Sequence, residues 1–504
     1  MALRMPTHGE LRQLAQQNHF TLSDEEVEAY HALLPVVFGL LDQLDQMPEL
    51  PMPRRYPQRD PGGRPEPQDD PYNAIVRYCE VGGAEAGPLA EKRVGLKDNI
   101  SVAGIPLTCG SRVLQGCVPD TDATIVTRLL DAGARIVAIL NMDNFAFSGA
   151  GNTSAYGPTR NPHNPQHLAG GSSGGSAAAL YYDAIDLTIG GDQAGSIRIP
   201  AAWCGVVGLK PTYGLVPYTG IVGIDHTFDH TGPMARSVAE VAQALEVLAG
   251  KDPLDPRQGE VAVQSYTATL GRDIRGVRIG LLQEGFGQPG AEPDVEAAVR
   301  AAMDTLRMLG ATVTEVSVPA HRTGRAIHRG LVAEGITALL QSNGMGYHWQ
   351  GAYSPAMAIA FGKSLQTQGN DLPPNIKLMT MIGTYLRQYY HGRFYAKAQN
   401  LRRNLRASYD AVFHQVDVLA MPTTPMKAHR YEPDLDLQTL VTHGGNMTSN
   451  TAPLDITGHP SLSVPCGMSQ GLPVGLMLTG RHGEDAMLLA VAHAFEQQGA
   501  WEKR

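Results

Sequence analysis

Between Ala169 and Thr212 the chain carries two glycine- and serine-rich loops separated by an apolar stretch, and no other segment narrows the possible folds so far. The first loop reads Ala-Gly-Gly-Ser-Ser-Gly-Gly-Ser; the second reads Gly-Gly-Asp-Gln-Ala-Gly-Ser-Ile-Arg. Between them, Ser176 to Tyr182 is Ala-rich and reads as a helix, and Ile185 to Ile189 reads as a strand. After the second loop, Ile199-Pro200 starts a helix, since proline is tolerated in a first turn. A solvated linker would not be interrupted in this way. A phosphate cradle needs Gly-Lys-Ser/Thr, which neither loop has, and Gly149-Ala-Gly151 lacks the third glycine of a dinucleotide site. Gly171 to Gly175 fits G-x-S-x-G, but that elbow must follow a strand, and Asn161 to His167 holds two prolines. What remains is a pair of loops whose backbone N–H groups can converge on one point, as a developing oxyanion requires.

Around this segment, strands and helices alternate. Arg93 to Asp98, Ile136 to Leu140, Val277 to Leu282, Ala311 to Val318, Asp417 to Met421, Ser461 to Val464 and Val474 to Leu478 read as strands. Asp122 is placed to cap a helix carrying Ile125, Val126, Leu129 and Leu130 and ended by Gly133. Ser237 and Glu240 form a capping box, and Pro293 opens a helix with Val295, Val299, Met303 and Leu306 on one face. The predicted class is α/β, a large mixed β-sheet core flanked by helices. Residues 1–50 form a small helical N-terminal region, with capping residues over Thr21 to Glu26 and Val27, Tyr30, Leu34 and Val37 at helical spacing. Seven prolines between Pro51 and Pro71 mark residues 51–73 as a linker, leaving residues 74–500 as the main body. Residues 320–410 read as a helical insertion that shapes a pocket. Trp349, Tyr353, Phe361, Tyr385, Tyr389 and Tyr390 either line that pocket or belong to the core.

A net charge of −9 offers no basic surface for nucleic acid. Five cysteines without C-x-x-C spacing argue against a disulfide framework or a zinc knuckle. His226 and His230 are four apart, but no third ligand accompanies them, so both read as structural and no metal site is expected. The start of the chain has no apolar run of signal-peptide type, and no stretch suits a membrane span, which points to a cytoplasmic protein without membrane partners.

Further segments accompany the two loops: Val94-Gly-Leu-Lys97-Asp-Asn, Gly157-Pro-Thr-Arg-Asn-Pro162, Gly205-Val-Val-Gly-Leu-Lys-Pro-Thr212, Asp229-His-Thr-Gly-Pro-Met234 and Gly458-His-Pro-Ser-Leu-Ser-Val-Pro465. Together they resemble the amidase signature family of serine hydrolases, over most of residues 72–495. The Asp-Gln-x-Gly-Ser-Ile-Arg form is similar to that of bacterial amidases of nitrile-degradation pathways. The resemblance implies a Ser–cis-Ser–Lys set: Ser196 as nucleophile, Ser172 as the bridging serine and Lys97 as the base. It gives Ser173 a supporting role, seats the oxyanion on N–H groups of Gln193, Ala194, Gly195 and Ser196, and leaves Asp192 and Arg198 to brace the loop. Physically, a serine hydroxyl needs a base. Lysine serves only when neutral, so its pKa must fall from ~10.4 toward ~7–8. Taken alone, Lys97 reads as a surface lysine paired with Asp98.

The activity so implied is metal-free and cofactor-free hydrolysis of a small-molecule amide through an acyl-enzyme, releasing ammonia or an amine. Carbamate (urethane) and ester cleavage follow the same route. A homodimer through the N-terminal helices is a further family-based expectation. Two other readings compete: the glutaminase subunit of a tRNA-dependent amidotransferase, which usually has Gln where this chain has Ile199, and a non-catalytic binding protein, against which the joint presence of Lys97, Ser172 and Ser196 argues. Two positions depart from the family pattern. Ala194 stands where glycine is common and bears on the oxyanion hole; Asp143-Asn144 stands where many members carry Glu and reads as a local change.

Overall fold

Residues 3–49, 54–347 and 350–499 are described in the computed structural model, as two units that are taken separately, residues 1–53 and 54–504. In the first unit, helices His8–Gln17 and Asp24–Gln46 each open on a capping box, Thr7 with Glu10 and Ser23 with Glu26. These pairs satisfy N–H groups that a helix start leaves without partners. Of the expected stripe, Val27 is buried, Leu34 is half-buried, and Tyr30 and Val37 are exposed.

The second unit is built on one mixed sheet. Its strands among the described residues are β1 (Arg59–Gly63), β2 (Ile75–Val81), β3 (Arg93–Lys97), β4 (Arg135–Leu140), β5 (Leu187–Asp192), β6 (Val207–Lys210), β7 (His230–Ala235), β8 (Arg278–Leu282), β9 (Thr312–Val316), β10 (Val418–Pro422), β11 (Ser461–Ser469) and β12 (Leu472–Gly480). They lie in the order β1-β2-β4-β3-β5-β7-β6-β11-β12-β10-β8-β9. β3 pairs in parallel with β4 and β5, and β8 with β9 and β10; the remaining neighbours are antiparallel. Val94, Leu96 and Ile189 pack with Leu129, Val241 and Leu245 in one apolar cluster; Leu419 and Met477 pack with Leu331, Ile336 and Tyr409 in another. Each such side chain, fully buried, stabilises the fold by about 1.5–3 kcal/mol.

Several stretches differ from what the sequence predicts. The proline-rich stretch 51–73 is not a free linker throughout, because β1 lies inside it and pairs with β2. Pro61 is tolerated there because β1 is the sheet's edge, where a missing N–H costs no ladder bond. Arg59 holds this edge with two bonds to the Asp122 carboxylate, of 2.6 and 2.7 Å. Asp122 therefore does not cap helix Thr124–Asp131, whose first flanking residue is Ala123. β5 runs on past Ile189 to Asp192, since β7 pairs with it through Gly190, Gly191 and Asp192. Residues 320–410 form the helices His321–Gln341, Pro355–Gln368, Pro374–Tyr390 and Arg393–Val412. Phe361 is core, Tyr353, Tyr385, Tyr389 and Tyr390 are exposed, and Trp349 lies outside the described residues. Among the described residues, no helix is long and apolar enough to cross a membrane.

Candidate active site

Lys97 ends β3 and Asp192 ends β5. These strands run parallel, with Leu96 opposite Ile189, so both deliver their C-terminal ends to the same edge of the sheet. The second glycine loop leaves β5 at that edge and enters helix Arg198–Cys204. The first loop arrives beside it and enters the short helix Gly174–Ala178, with a cis peptide between Gly171 and Ser172. Ser173 joins the two. Its N–H donates to Ser196 O at 3.2 Å, its hydroxyl donates to Gly191 O at 3.0 Å, and Gly191 N–H donates back to its Oγ at 3.2 Å.

Lys97 is wholly buried and is not paired with Asp98. The Asp98 carboxylate turns away, accepting from the Thr108 and Gly110 N–H groups at 3.0 and 2.9 Å. Lys97 Nζ instead donates to Ser172 Oγ at 2.7 Å and to Gly191 O at 3.2 Å. Burial pushes its pKa down to about 7, against the pull of the Asp192 and Asp143 charges. When Lys97 is neutral, the same 2.7 Å contact lets the Ser172 hydroxyl donate to the Nζ lone pair, leaving Oγ able to accept a proton in turn. Ser196 faces a cavity of about 60 Å³. The structure shows no direct bond between the two hydroxyls, so the lysine and Ser172 are joined while Ser196 stands beside them in the adjoining loop.

Asp192 and Arg198 form a buried pair, with Nε–Oδ2 at 2.9 Å and both side chains fully covered. Burial alone would raise the Asp192 pKa, but the Arg198 charge overrides it and holds the carboxyl below the ordinary carboxylate range. Arg198 also reaches Asp455 at 2.7 Å. Asp192 accepts the N–H groups of Gly195, at 2.5 Å, and Ile197, at 3.1 Å, and so folds the loop around its own carboxylate. This corrects one expectation. The Gly195 N–H is committed to Asp192 and is not available to an oxyanion. Among the described residues, the N–H groups of Gln193, Ala194 and Ser196 have no protein acceptor. Gly195 also carries the positive φ of the loop, +124°, and a Cβ there would come within 2.3 Å of Thr451 Oγ1. Ala194 is not among the positive-φ residues and lines the cavity.

Three supports were not legible in the sequence. His328, on helix His321–Gln341, places Nε2 2.9 Å from Gln193 O and lines the cavity. Burial lowers its pKa to about 4, so it is neutral and donates that N–H. Thr451 donates to Ala194 O at 2.5 Å. Asp143 is more than a local change. Its N–H donates to Ser172 O at 3.2 Å, and its carboxylate accepts from Gly151 and Thr153 at 2.8–2.9 Å. A Cβ on Gly171 would lie 1.9 Å from Asp143 Oδ2, so only glycine fits against it. None of the described aromatic residues proposed for a pocket lines the cavity; its apolar wall includes Phe147, Ile199, Ile224 and Val332. His230 is buried with Nδ1 2.8 Å from Phe228 O, and among the described residues no group of metal-ligating side chains gathers.

This sheet edge, with a buried lysine hydrogen-bonded to a serine beside a second serine in a glycine loop, has the composition of a serine hydrolase site. Comparison with known proteins gives the family. The Amidase family profile matches residues 73–489, and the chain belongs to that family. An enantioselective amidase of Rhodococcus rhodochrous is 41% identical over 86% of this chain and 84% of its own length. The A subunit of the glutamyl-tRNA(Gln) amidotransferase of Synechococcus sp. (strain WH7803) is 40% identical over 84% of this chain and 86% of its own. The crystal structure of a peptide amidase from Stenotrophomonas maltophilia superposes with a TM-score of 0.66 at 34% identity, covering 83% of this chain and 84% of that one. The protein is thus an enzyme of amide-bond hydrolysis with the amidase fold.

Proposed function

We propose that Ser196 attacks the carbonyl of a small amide while Ser172 passes its proton to neutral Lys97. The observation that carries this reading is the 2.7 Å bond from Lys97 Nζ to Ser172 Oγ in a fully buried setting. A lysine with a pKa near 7 is half neutral at that pH and so can act as a base. The oxyanion forms against the three uncommitted N–H groups, of Gln193, Ala194 and Ser196. His328 and Thr451 hold the carbonyls of that loop and so aim its N–H groups inward. Lys97 returns the proton through Ser172 to the leaving nitrogen, which departs as ammonia or an amine, and water then hydrolyses the acyl-enzyme. A carbamate follows the same course, with an alkoxycarbonyl in place of the acyl group.

The amidotransferase relatives support a second reading, a glutaminase that works with partner proteins. Ile199 weighs against it, since this side chain lines the cavity at the position where the family resemblance implies Gln for such a subunit. Lone activity on simple amides separates the two. Ser196→Ala is expected to abolish turnover across amides, anilides and carbamates, and to abolish labelling by a fluorophosphonate probe read by intact mass. Full labelling of the variant would move the nucleophile elsewhere, with Ser173 the next candidate.

A further inference from the structure

The described cavity residues include two cations and no acid: Arg325 and Arg329 lie one helical turn apart on helix His321–Gln341. Like charges at that spacing repel and destabilise a helix, so their adjacency needs a reason. Neither guanidinium has a carboxylate partner among the described residues, although the chain as a whole is acidic. Both lean toward one place. A Cβ built on Gly445 would lie 3.3 Å from an Arg329 Nη2 and 3.9 Å from that of Arg325. Gly445 lines the same cavity and, lacking a side chain, leaves that space open. Gln193, Ala194 and Ser196, the proposed nucleophile and its N–H groups, line the same cavity.

Resting on the hydrolase reading above, we infer that Arg325 and Arg329 form a carboxylate subsite, and that the enzyme favours short amides bearing a free carboxylate. Guanidinium groups suit this ligand because their planar fork of donors matches two carboxylate oxygens. The cavity admits a short backbone, and Arg329 receives the charged end. Desolvation and the Arg325 charge both lower the Arg329 pKa, and the two arginine charges also push down His328, so the cavity has a positive field that an anion relieves. The same field disfavours substrates with a cationic group near the scissile bond.

The test compares succinamate with its neutral analogue butanamide. The wild type is expected to favour succinamate in kcat/KM by about tenfold or more, since charge-assisted hydrogen bonds are each worth at least that factor. The preference should shrink with rising salt and fall about tenfold or more in Arg325→Gln/Arg329→Gln, while Arg325→Lys/Arg329→Lys keeps part of it. N-acetylglycine, with its carboxylate on the amine side, reports which side of the bond faces the arginines. Calorimetric binding of succinamate to Ser196→Ala, with and without the arginine substitutions, reads the subsite without turnover. Anion-selective binding that depends on the arginines, with no hydrolysis by the wild type, would defeat the hydrolase reading and leave the subsite standing. Hydrolysis of neutral and anionic amides at equal rates, or a preference that the Gln pair leaves unmoved, would overturn the subsite alone.

Discussion

Replacing Lys97 with Met should make the protein inactive and, near neutral pH, more stable. Lys97 is buried without a carboxylate partner, so its protonated form is held at a cost. A fall in pKa from 10.5 to about 7 corresponds to about 5 kcal/mol at ~1.4 kcal/mol per pH unit. The sign follows from proton counts. Between pH 7 and 10.5 the unfolded chain keeps this proton and the folded protein releases it, so the wild type gains stability as pH rises through that window. Met has no proton to lose. The stability difference, variant minus wild type, should therefore fall by about 4 kcal/mol from pH 7 to pH 10.5 and be constant below pH 6. The other titrating groups are common to both proteins and largely cancel. At high pH the variant should be slightly the less stable, having lost the bonds to Ser172 and Gly191. Urea unfolding of both proteins at half-unit pH intervals measures this directly. A difference that stays flat across pH 7–10 would show that Lys97 is not held as a costly buried cation, and the argument for its role as a base would fail with it.

Two further outcomes follow from the same geometry. The log of kcat/KM on a neutral amide should rise with unit slope up to about pH 7 and then level, as Lys97 loses its proton; stopped-assay profiles from pH 5 to 10 check this, and a profile already flat at pH 5 would contradict it. Ala194→Gly should keep kcat/KM on a small amide within roughly tenfold, because Ala194 has no positive φ to relieve and contributes its N–H alone; a loss of ~10³ or more would show that its methyl fixes the hole.

What could be read from the sequence was what is encoded locally. Helix starts at Ser23, Ser237 and Pro293 were legible because a cap or a first-turn proline acts on residues three or four positions away. β8, β10 and β12 were legible as apolar runs. β6 and β7 gave no such signal: Gly208, Gly232 and Pro233 break their patterns, and neighbours on both sides make them strands all the same. Lys97 shows the limit most plainly. Its sequence neighbours suggest a pair with Asp98, and only the arrival of two loops from residues 170–196 turns it into a buried amine bonded to Ser172. The cavity wall was equally hidden, since Arg325, His328 and Gly445 meet Ser196 only through tertiary packing.

The link from Arg198 to Asp455 has a consequence for a chain emerging from the ribosome. Lys97, Ser172 and Ser196 are all synthesised well before Thr451 and Asp455, and β3 and β5 can pair once residue 192 is made. The loop after β5, however, is closed by Thr451 against Ala194 and by Asp455 against Arg198. A nascent chain that stops short of Thr451 therefore holds the lysine and both serines but lacks the clasp that shapes the loop bearing Ser196. That loop acquires its partners late, when the segment ahead of β11 docks, and in an unfinished or C-terminally clipped chain it is left without them by the fold's own topology.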